Sequence, residues 1–439
     1  MPRIKKLVDK REQYRAMLKK RHASEELIEN FEKGLELYKQ WRTVNIELQQ
    51  LRARRNKLSK EYGRTRDQKF LKEAEHIKAQ VEKHKLMLAE LDEKIREIEL
   101  MLPNWLASDV PEGFEEDAKP IEYVGVPKVW EKYKDAFEAQ YPGIKYELSK
   151  HKPLHHYDLV GKLIDQERAA EFAGSRFYCE LNEIVLLDFA LSLYAIDFFR
   201  KKGYADKLMV TPYMMRKSVE EKIAYFTNFA DTIFELEKEG LILIPSSEHT
   251  IVAYYADRIF ERKELPLRII AWSPCFRKEA GAHGKDTKGM FRAKQFHKVE
   301  IHCIVRKDED FAEVEKLRKD VQEFMLSLGL PHRSVILASA DTDMRALKHI
   351  DIETWMPAQA RYRETHSIAT IGTWVSEKVK MRYRTKEGKE LTRNVYATGV
   401  AVQRTICAIA ENHYNAEENK IEVPKVLRKY ALDLDEIKL

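Results

Sequence analysis

The sequence lacks long apolar runs and paired cysteines, and no secretory leader is expected. The 439-residue chain has no run of about 18 apolar residues, and its first residues, Met-Pro-Arg-Ile-Lys-Lys, include no apolar stretch. The four cysteines, Cys179, Cys275, Cys303 and Cys407, form no C-x-x-C pair. Buried free thiols are therefore expected rather than a zinc knuckle. We predict a cytoplasmic protein with no membrane partner.

The two common glycine-rich nucleotide loops are also missing. Neither G-x-x-x-x-G-K-[ST] nor G-x-G-x-x-G is present, so the sequence gives no support for a P-loop or a dinucleotide-binding fold. A bound nucleotide would have to be held in another way. Hydrophobic residues make up 44% and charged residues 34% of the chain, as in globular proteins, and the length favours two or three domains.

The positive charge of the chain is concentrated in one segment. Residues 52–72 contain nine Lys and Arg against two acidic residues, a net charge of +7, whereas the whole chain carries only +6. The rest of the protein is therefore close to neutral. A basic segment of this kind is typical of a surface that binds phosphate groups.

Two heptad seams predict an antiparallel helical hairpin around this basic segment. The first seam consists of Leu37, Trp41, Val44, Leu48, Leu51, Arg55, Leu58 and Tyr62. The second consists of Phe70, Ala74, Ile77, Val81, His84, Leu88, Leu91, Ile95, Ile98 and Leu102. The short connection 62–67 forces the two helices to be antiparallel neighbours.

The basic cluster is thereby predicted to lie at the tip of a rigid arm. Its candidate phosphate-binding residues are Arg52, Arg54, Arg55, Lys57, Arg64 and Arg66. Lys and Arg displayed at the end of such an arm suit contacts with a nucleic-acid backbone. The alternative is a hairpin end whose charges are merely solvated.

The remainder of the chain predicts an α+β domain. Residues 103–128 contain Val-Pro-Glu-Gly and a short acidic run, and are expected to form a linker. Helical segments are predicted at 180–203, 219–240 and 398–413, between short strand-like runs. The regular βα repeat of a doubly wound sheet is absent, so an antiparallel sheet with flanking helices is favoured.

Residues 267–306 predict a long β-hairpin with one charged face. Two strand-like segments flank the loop 280–289. Because residues two apart on a strand share a face, the following side chains are grouped: Arg277 with Glu279, and Arg292, Lys294, Phe296, Lys298 and Glu300 on the partner strand. The opposite face is predicted to meet the core with Phe291, Ala293, Val299, Ile301 and Cys303.

The charged face suits an anionic ligand with a flat heterocycle, such as ATP. A solvated face with cross-strand ion pairs is the alternative. Arg404 stands within the apolar predicted helix 398–413. A buried guanidinium needs either a carboxylate or a phosphate as its partner.

Several ordered motifs resemble those of seryl-tRNA synthetases. They include Leu-Arg-Ala-Arg-Arg-Asn-Lys-Leu-Ser at 51–59, His-His-Tyr-Asp at 155–158 and Gly-Ser-Arg-Phe-Tyr at 174–178. The segments Cys-Phe-Arg-Lys-Glu-Ala-Gly at 275–281 and Gln-Phe-His-Lys-Val-Glu at 295–300 are similar to class II motif 2. The stretch that ends at Pro212 is similar to motif 1, which in the family builds the dimer interface.

The resemblance implies a helical tRNA-binding domain with a coiled-coil arm at 1–110 and a class II catalytic domain at 111–439. For ATP, it implies that Arg277 contacts the α-phosphate and the amino-acid carboxylate, that Glu279 and Phe296 hold the adenine, and that Arg292 and Arg404 contact other phosphates. The implied activity is activation of serine with ATP and its transfer to tRNA by a homodimer.

The resemblance also assigns the metal and the amino acid. Glu364 and Ser367 match the family's positions for Mg²⁺ bound with ATP. Ser246 and Glu248 stand where the family has Thr-x-Glu and contacts the amino acid. Glu300 and Thr398 match the positions that meet the substrate's amino and hydroxyl groups.

Some positions depart from the family pattern, and they are expected to cluster around the amino acid rather than around ATP. After Ser367 the family has Cys or Ala followed by Ser-Asn, where this chain has Ile-Ala-Thr370, and Tyr396 replaces an Asn that belongs to the amino-acid pocket. A larger ring in place of an amide changes both the volume and the hydrogen bonding of that pocket. The alternative is therefore a paralogue with another acyl substrate, or one that charges no tRNA and has an RNA-binding or regulatory role.

Overall fold

A computed structural model of the chain describes residues 2–224, 232–279 and 288–439. The chain divides into two compact units, Met1–Trp105 and Leu106–Leu439. Each unit has its own core. Within the described ranges, no helix is both long and apolar enough to cross a membrane.

The first unit is helical. Its helices are α1 (Ile4–Leu7), α2 (Arg11–Lys20), α3 (Glu25–Thr65) and α4 (Gln68–Met101). The hydroxyl of Ser24 caps the start of α3 and the carboxylate of Asp67 caps the start of α4 by accepting backbone N–H bonds. At 1.5 Å per residue, the 41 residues of α3 span about 60 Å.

The two predicted seams face each other along α3 and α4. Val44, Leu48, Ile77, Val81 and Leu88 form their buried centre, which confirms the coiled-coil arm. The connection is shorter than predicted, because α3 continues through Gly63 to Thr65 and the chain reverses at Arg66, which has a left-handed φ of 59°. One glycine weakens a helix by about 1 kcal/mol but does not end it.

The second unit is built on an antiparallel sheet with helices. Its helices are α5 (Lys134–Gln140), α6 (His156–Leu159), α7 (Gln166–Ala173), α8 (Glu183–Lys201), α9 (Lys217–Glu220), α10 (Ser247–Tyr254), α11 (Asp310–Ser327), α12 (Trp374–Val379), α13 (Val402–Asn412) and α14 (Lys425–Arg428).

The strands before the long hairpin, and its first strand, are β1 (Lys119–Val124), β2 (Lys128–Trp130), β3 (Glu147–Ser149), β4 (Ile164–Asp165), β5 (Cys179–Glu180), β6 (Lys207–Val210), β7 (Met214–Arg216), β8 (Glu235–Leu236), β9 (Leu241–Leu243), β10 (Ile259–Phe260) and β11 (Leu267–Phe276). Those that follow are β12 (Gln295–Val305), β13 (His332–Ile336), β14 (Lys348–Met356), β15 (Arg361–Gly372), β16 (Arg382–Thr385), β17 (Gly388–Leu391), β18 (Arg393–Ala401), β19 (Tyr414–Asn415), β20 (Lys420–Glu422) and β21 (Glu436–Lys438).

Eight strands form the main sheet in the order β1-β13-β14-β15-β18-β12-β11-β6. All neighbours are antiparallel except β11 and β6. Helices α8, α11 and α13 cover one face, where Val299, Ile301 and Cys303 of β12 enter the core with Val395 and Ala397 of β18. Because side chains alternate along a strand, Lys298, Glu300 and Thr398 point to the other face.

Three predictions about local structure need correction. The predicted linker contains β1, which pairs with β13 at one edge of the main sheet. The predicted helix 219–240 is wrong over its described ends, because α9 stops at Glu220 and β8 and β9 pair in a small sheet with β7. Residues 398–401 extend β18, so α13 starts only at Val402. In each case, pairing with distant strands outweighs the local pattern.

Candidate active site

The open face of the main sheet carries a cavity of about 320 Å³. Its walls contain nearly all of the candidate residues of the second unit: Ser246, Glu248, Arg277, Glu279, Arg292, Phe296, Glu364, Ser367, Tyr396, Thr398 and Arg404. Glu300 is fully buried and is opposite Thr398 in the sheet, which lines the cavity. The sequence predicted that Phe296 and Lys298 share one face of β12, and both side chains line the cavity.

The loop before β12 differs from the predicted alternation. Residues 280–287 of the predicted hairpin loop lie outside the described residues. Strand β12 begins at Gln295, so residues 290–294 are not bound to strict alternation. As a result the consecutive residues Phe291, Arg292 and Ala293 all line the cavity, although Phe291 also packs in the core, as predicted. The ring of Phe291 lies 4.8 Å from the Arg363 guanidinium carbon.

One end of the cavity is rich in arginine. The guanidinium of Arg277 lies 5.2 Å from the ring centre of Phe296, and Arg292 Nε donates to Glu279 Oε2 at 2.6 Å. Arg404 is 3.0 Å from the carboxylate of Glu364. Three guanidinium groups and an aromatic ring therefore converge where an anion with a flat ring can bind.

Glu364 and Ser367 lie on β15 beside this arginine-rich end. Burial alone would raise the pKa of Glu364, but the charge of Arg404 outweighs it, so the pKa is lowered and the carboxylate is ionised. The hydroxyl of Ser367 lies 2.5 Å from His349 Nε2. No group of three or more His, Cys, Asp or Glu arranged to hold a metal occurs among the described residues.

The other end of the cavity is a buried polar subsite. Ser246 caps α10, and its hydroxyl accepts a bond of 2.9 Å from Lys298 Nζ. Lys298 also contacts the carboxylate of Glu300. Apart from this ion pair, which involves Oε2, neither Glu300 oxygen has a hydrogen-bond partner among the described residues, and burial raises the pKa of this carboxyl group. A second cationic group next to Glu300 would satisfy those oxygens.

Comparison with known proteins finds the same architecture elsewhere. Residues 1–108 match the model of the seryl-tRNA synthetase N-terminal domain, and residues 232–413 match that of the tRNA synthetase class II core domain (G, H, P, S and T). The serine--tRNA ligase of Thermococcus onnurineus is 39% identical over 408 residues, which cover 90% of this chain and 89% of the relative. The chain belongs to the seryl-tRNA synthetase family.

Solved structures agree with this membership. The crystal structure of seryl-tRNA synthetase from Pyrococcus horikoshii complexed with ATP has a TM-score of 0.94 and 37% identity, and covers 100% of this chain and 99% of its own. The cytoplasmic serine-tRNA ligase of Naegleria fowleri in complex with AMP has a TM-score of 0.83 and 28% identity, with 98% and 95% covered. The motif resemblance and the predicted fold class are therefore confirmed.

This member of the seryl-tRNA synthetase family has cavity residues that the sequence did not single out. Arg345 Nη1 donates to Glu248 Oε1 at 2.9 Å, and Arg345 Nη2 donates to Asp343 Oδ2 at 2.7 Å. The hydroxyl of Tyr396 donates to the same Asp343 oxygen at 3.2 Å. In the sequence, Asp343 and Arg345 stand out only as opposite charges two residues apart, in a loop with little other pattern. Such a pair does not indicate which residues either side chain contacts.

The two departures from the family pattern have different surroundings. Tyr396 lines the cavity. Thr370 lies on the opposite face of β15, with Ile368, and its hydroxyl donates to Asp310 Oδ2 at 2.7 Å at the start of α11. Hence the expectation that both departures reshape the amino-acid pocket is wrong for Thr370.

The basic residues predicted at the arm tip lie at the end of α3 and in the turn that follows. Arg54, Lys57, Arg64 and Arg66 are exposed, whereas Arg52 and Arg55 are half-buried. Arg54 pairs with Glu73 at 2.5 Å and Arg64 pairs with Glu61 at 2.9 Å. Both ion pairs are at the surface, so they hold these arginines only weakly and leave them able to contact a phosphate.

Proposed function

We propose that the chain activates serine with ATP and transfers the seryl group to tRNA. The observation that carries this proposal is the cavity itself. It joins an arginine-rich end that suits a triphosphate to a buried polar end at Glu300 that suits a small amino acid. We assign tRNA binding to residues 1–110 and catalysis to residues 111–439.

ATP occupies the arginine-rich end in this proposal. Arg277 binds the α-phosphate and the carboxylate of serine, Arg292 and Arg404 bind other phosphates, and Glu279 and Phe296 hold the adenine. The bonds of Arg292 to Glu279 and of Arg404 to Glu364 keep these cations oriented before ATP arrives. Charge-assisted contacts to phosphate then hold the guanidinium groups in the complex.

Activation is an in-line displacement at the α-phosphorus. A carboxylate oxygen of serine forms the new bond, the bond from that phosphorus to the bridging oxygen breaks, and pyrophosphate leaves. Negative charge develops on the phosphoryl oxygens, which Arg277 and Arg404 offset in a preorganised site. No protein nucleophile is required.

The oxygen atoms of Glu364 and Ser367 suit Mg²⁺, which prefers carboxylate and hydroxyl ligands together with substrate phosphates. The ionised state of Glu364 fits this role. These two residues would hold the ion beside the phosphates, where it would offset the negative charge of the leaving pyrophosphate. Ser367 would have to exchange its contact with His349 for the ion.

Serine occupies the polar end. Its ammonium group meets Glu300 Oε1, the oxygen that Lys298 does not pair with, and the hydroxyl of Ser246. Its hydroxyl group lies near Thr398, which is opposite Glu300 in the sheet. Glu248 lines the same end. Lys298 already pairs with Oε2 of Glu300, and the ammonium group of serine would give the buried Oε1 a partner, because a buried polar atom without one is costly.

The arm supplies the RNA contacts in this proposal. Exposed arginines at its tip bind the tRNA backbone through phosphates, by shape rather than base sequence. The terminal hydroxyl of the bound tRNA then attacks the acyl carbon of the seryl-adenylate, and AMP leaves.

We further propose a cytoplasmic homodimer. The outward side of α8 and strand β6, which ends the main sheet, expose apolar side chains: Phe189, Leu193, Leu208 and Val210 are 57%, 51%, 57% and 66% exposed. An apolar surface beside an open strand edge favours association with a second copy.

The four cysteines are free thiols, as expected of a reducing compartment.

Amino-acid-dependent exchange of pyrophosphate into ATP tests the proposed activity. Exchange with serine alone is expected. Exchange with another amino acid would instead support the second candidate, a paralogue with an altered acyl substrate, which is considered because Tyr396 in the cavity stands where the family has an Asn. Absence of exchange with every amino acid, while ATP still binds, would refute the activation step.

A further inference from the structure

Tyr396 lies one step deeper in the cavity than the residues assigned to serine. In the sheet, Glu300 of β12 is opposite Thr398 of β18, and the next pair on the same face is His302 opposite Tyr396. Two residues along a strand correspond to about 7 Å. The ring of Tyr396 therefore stands beyond the Glu300–Thr398 pair, where a longer amino-acid side chain would have to extend.

Neighbouring residues leave room for this ring at the bottom of the cavity. On β15 the residue opposite Tyr396 is Ala369, whose methyl group takes little space. His302 is fully buried on the other side, and its Nε2 bonds to Asn394 Oδ1 at 3.1 Å. Tyr396 itself is 8% exposed, and that surface faces the cavity it lines.

Buried charged groups hold the ring in place. Its hydroxyl donates to Asp343 at 3.2 Å, and the Arg345 guanidinium lies 5.7 Å from the ring centre while it binds both Asp343 and Glu248. Burial by itself would raise the pKa of Asp343 and of Glu248, but the charge of Arg345 outweighs it and both are lowered. The network thus consists of two ionised carboxylates around one guanidinium.

We propose that Tyr396, fixed by Asp343 and Arg345, ends the amino-acid subsite and limits the side chain it accepts to about the size of that of serine. This inference rests on the proposed function only for the location of the amino acid. A side chain longer by one or more carbon atoms would push against a ring that cannot retreat, since its hydroxyl is bound to a buried ion pair.

The subsite is also polar at this end. An apolar side chain placed against Tyr396 and Arg345 would separate buried polar groups from water without offering them a bond, which is unfavourable. A hydroxyl group can bond to Thr398 or to the phenol oxygen of Tyr396. The same network thereby favours a short hydroxylated side chain over a short apolar one and over a longer one.

The test measures binding of unreactive aminoacyl-adenylate analogues, so that it does not depend on catalysis. Sulfamoyl-adenosine derivatives of glycine, serine, threonine and valine are titrated calorimetrically into the full-length wild type and into Tyr396→Ala, Tyr396→Leu and Tyr396→Phe. The wild type is expected to bind the threonyl and valyl derivatives at least about tenfold more weakly than the seryl derivative, as for an added carbon atom in a tight pocket.

In Tyr396→Ala, the ratio of the affinity for the valyl derivative to that for the glycyl derivative is expected to rise at least about tenfold, because the ring that ends the subsite is removed. Tyr396→Phe keeps nearly the whole volume but lacks the bond to Asp343, so it serves as the matched control, and its ratio is expected to rise by less than that of the Ala variant. Where Tyr396→Ala does not fold, Tyr396→Leu gives the same comparison with a smaller expected rise. Unchanged ATP affinity and an unchanged melting profile establish that a variant is intact.

An intact Ala or Leu variant with the wild-type ratio would overturn the role of Tyr396. A Phe variant whose ratio rises as much as that of the Ala variant would overturn the volume argument. If the wild type does not prefer the seryl derivative, the assignment of serine fails, while the ratio still reports on Tyr396. The two failures are therefore distinct.

Discussion

The guanidinium of Arg404 and the carboxylate of Glu364 lie 3.0 Å apart, on α13 and β15 respectively, at the arginine-rich end of the cavity. Arg404 Nη1 also donates to the backbone oxygen of Glu364 at 3.2 Å. The cation therefore has the carboxylate partner that the sequence left open. The guanidinium of Arg404 is held at the cavity wall, where a phosphate can bind to it while α13 stays in place.

Replacing Arg404 with alanine is expected to lower the rate of serine-dependent exchange about 10²–10³-fold, since one preorganised contact to developing charge is lost. Exchange measured over a range of ATP concentrations checks this. Arg384→Ala is the control, because Arg384 pairs with Glu261 in an exposed pair on β16 and should leave exchange unchanged. Equal losses in both variants would contradict the role of Arg404.

Reversal of charge at the arm tip is expected to weaken tRNA binding without affecting exchange. The variant changes Arg54, Arg55, Arg64 and Arg66 to Glu, and binding is measured by filter retention at several salt concentrations. Loss of phosphate contacts should reduce both the affinity and its salt dependence. Lys10, Lys19, Lys33 and Lys94, which are exposed elsewhere in the first unit, provide a control with the same change in charge. Affinity that falls equally in both would argue against the tip.

The arm should depend on its buried seam. Leu48→Ala is expected to lower the stability of the α3–α4 pair by about 2–3 kcal/mol, because it leaves a cavity next to Val44 and Val81. Hydrogen exchange of the arm amides measures the change. Leu86→Ala removes the same atoms from a side chain that is 68% exposed and should have little effect.

Thr370→Val is expected to lower stability by about 1–3 kcal/mol, because Asp310 loses a buried hydrogen bond. The amino-acid preference should stay as in the wild type, since this side chain faces the helices and not the cavity. Urea unfolding and exchange with serine, threonine and alanine measure the two properties. A shift in preference would show that the two faces of β15 are coupled.

Acid should destabilise the second unit through His332. This side chain is fully buried, its Nδ1 bonds to the carbonyl oxygen of Leu330 at 2.8 Å, and burial lowers its pKa to about 4. The unfolded chain takes up a proton near pH 6.5, whereas the folded chain resists until about pH 4. The stabilisation present above pH 6.5 is therefore lost as the pH falls, at up to about 1.4 kcal/mol per pH unit.

Unfolding free energies between pH 7 and pH 4.5 measure this dependence. His332→Gln should reduce the slope without abolishing it, because burial also lowers the pKa of His366, to about 3. His151→Gln, which alters a side chain that is 59% exposed, should leave the slope as in the wild type. The same slope in His332→Gln and the wild type would assign the acid sensitivity to other groups.

The arm and the hairpin could be predicted because their patterns are local. Heptad spacing places Leu48 opposite Val81 without knowledge of anything else in the fold. Alternation along 295–305 likewise places Phe296, Lys298 and Glu300 on one face, and the structure puts that face against the cavity. Before β12 begins the same rule holds only in part, because Phe291 packs in the core as predicted but also lines the cavity.

The floor of the cavity could not be predicted in this way. Glu248 and Arg345 are 97 residues apart in the chain, and only the sheet and α10 bring them together. Thr370 and Tyr396 were grouped because both differ from the family pattern. A departure from a family's sequence motif does not tell which face of a strand the residue occupies. That requires the strands themselves, here β15 and β18, to be located first.

Strand β12 separates two chemically different surfaces, the cavity on one side and the helix-covered core on the other. One extra residue within it would turn Phe296, Lys298 and Glu300 toward the helices, and Val299 and Ile301 toward the substrates. A substitution on this strand alters one contact, whereas an insertion exchanges the entire wall. During divergence, substitutions on β12 can therefore change the chemistry of the cavity, whereas insertions into β12 are expected to be rejected.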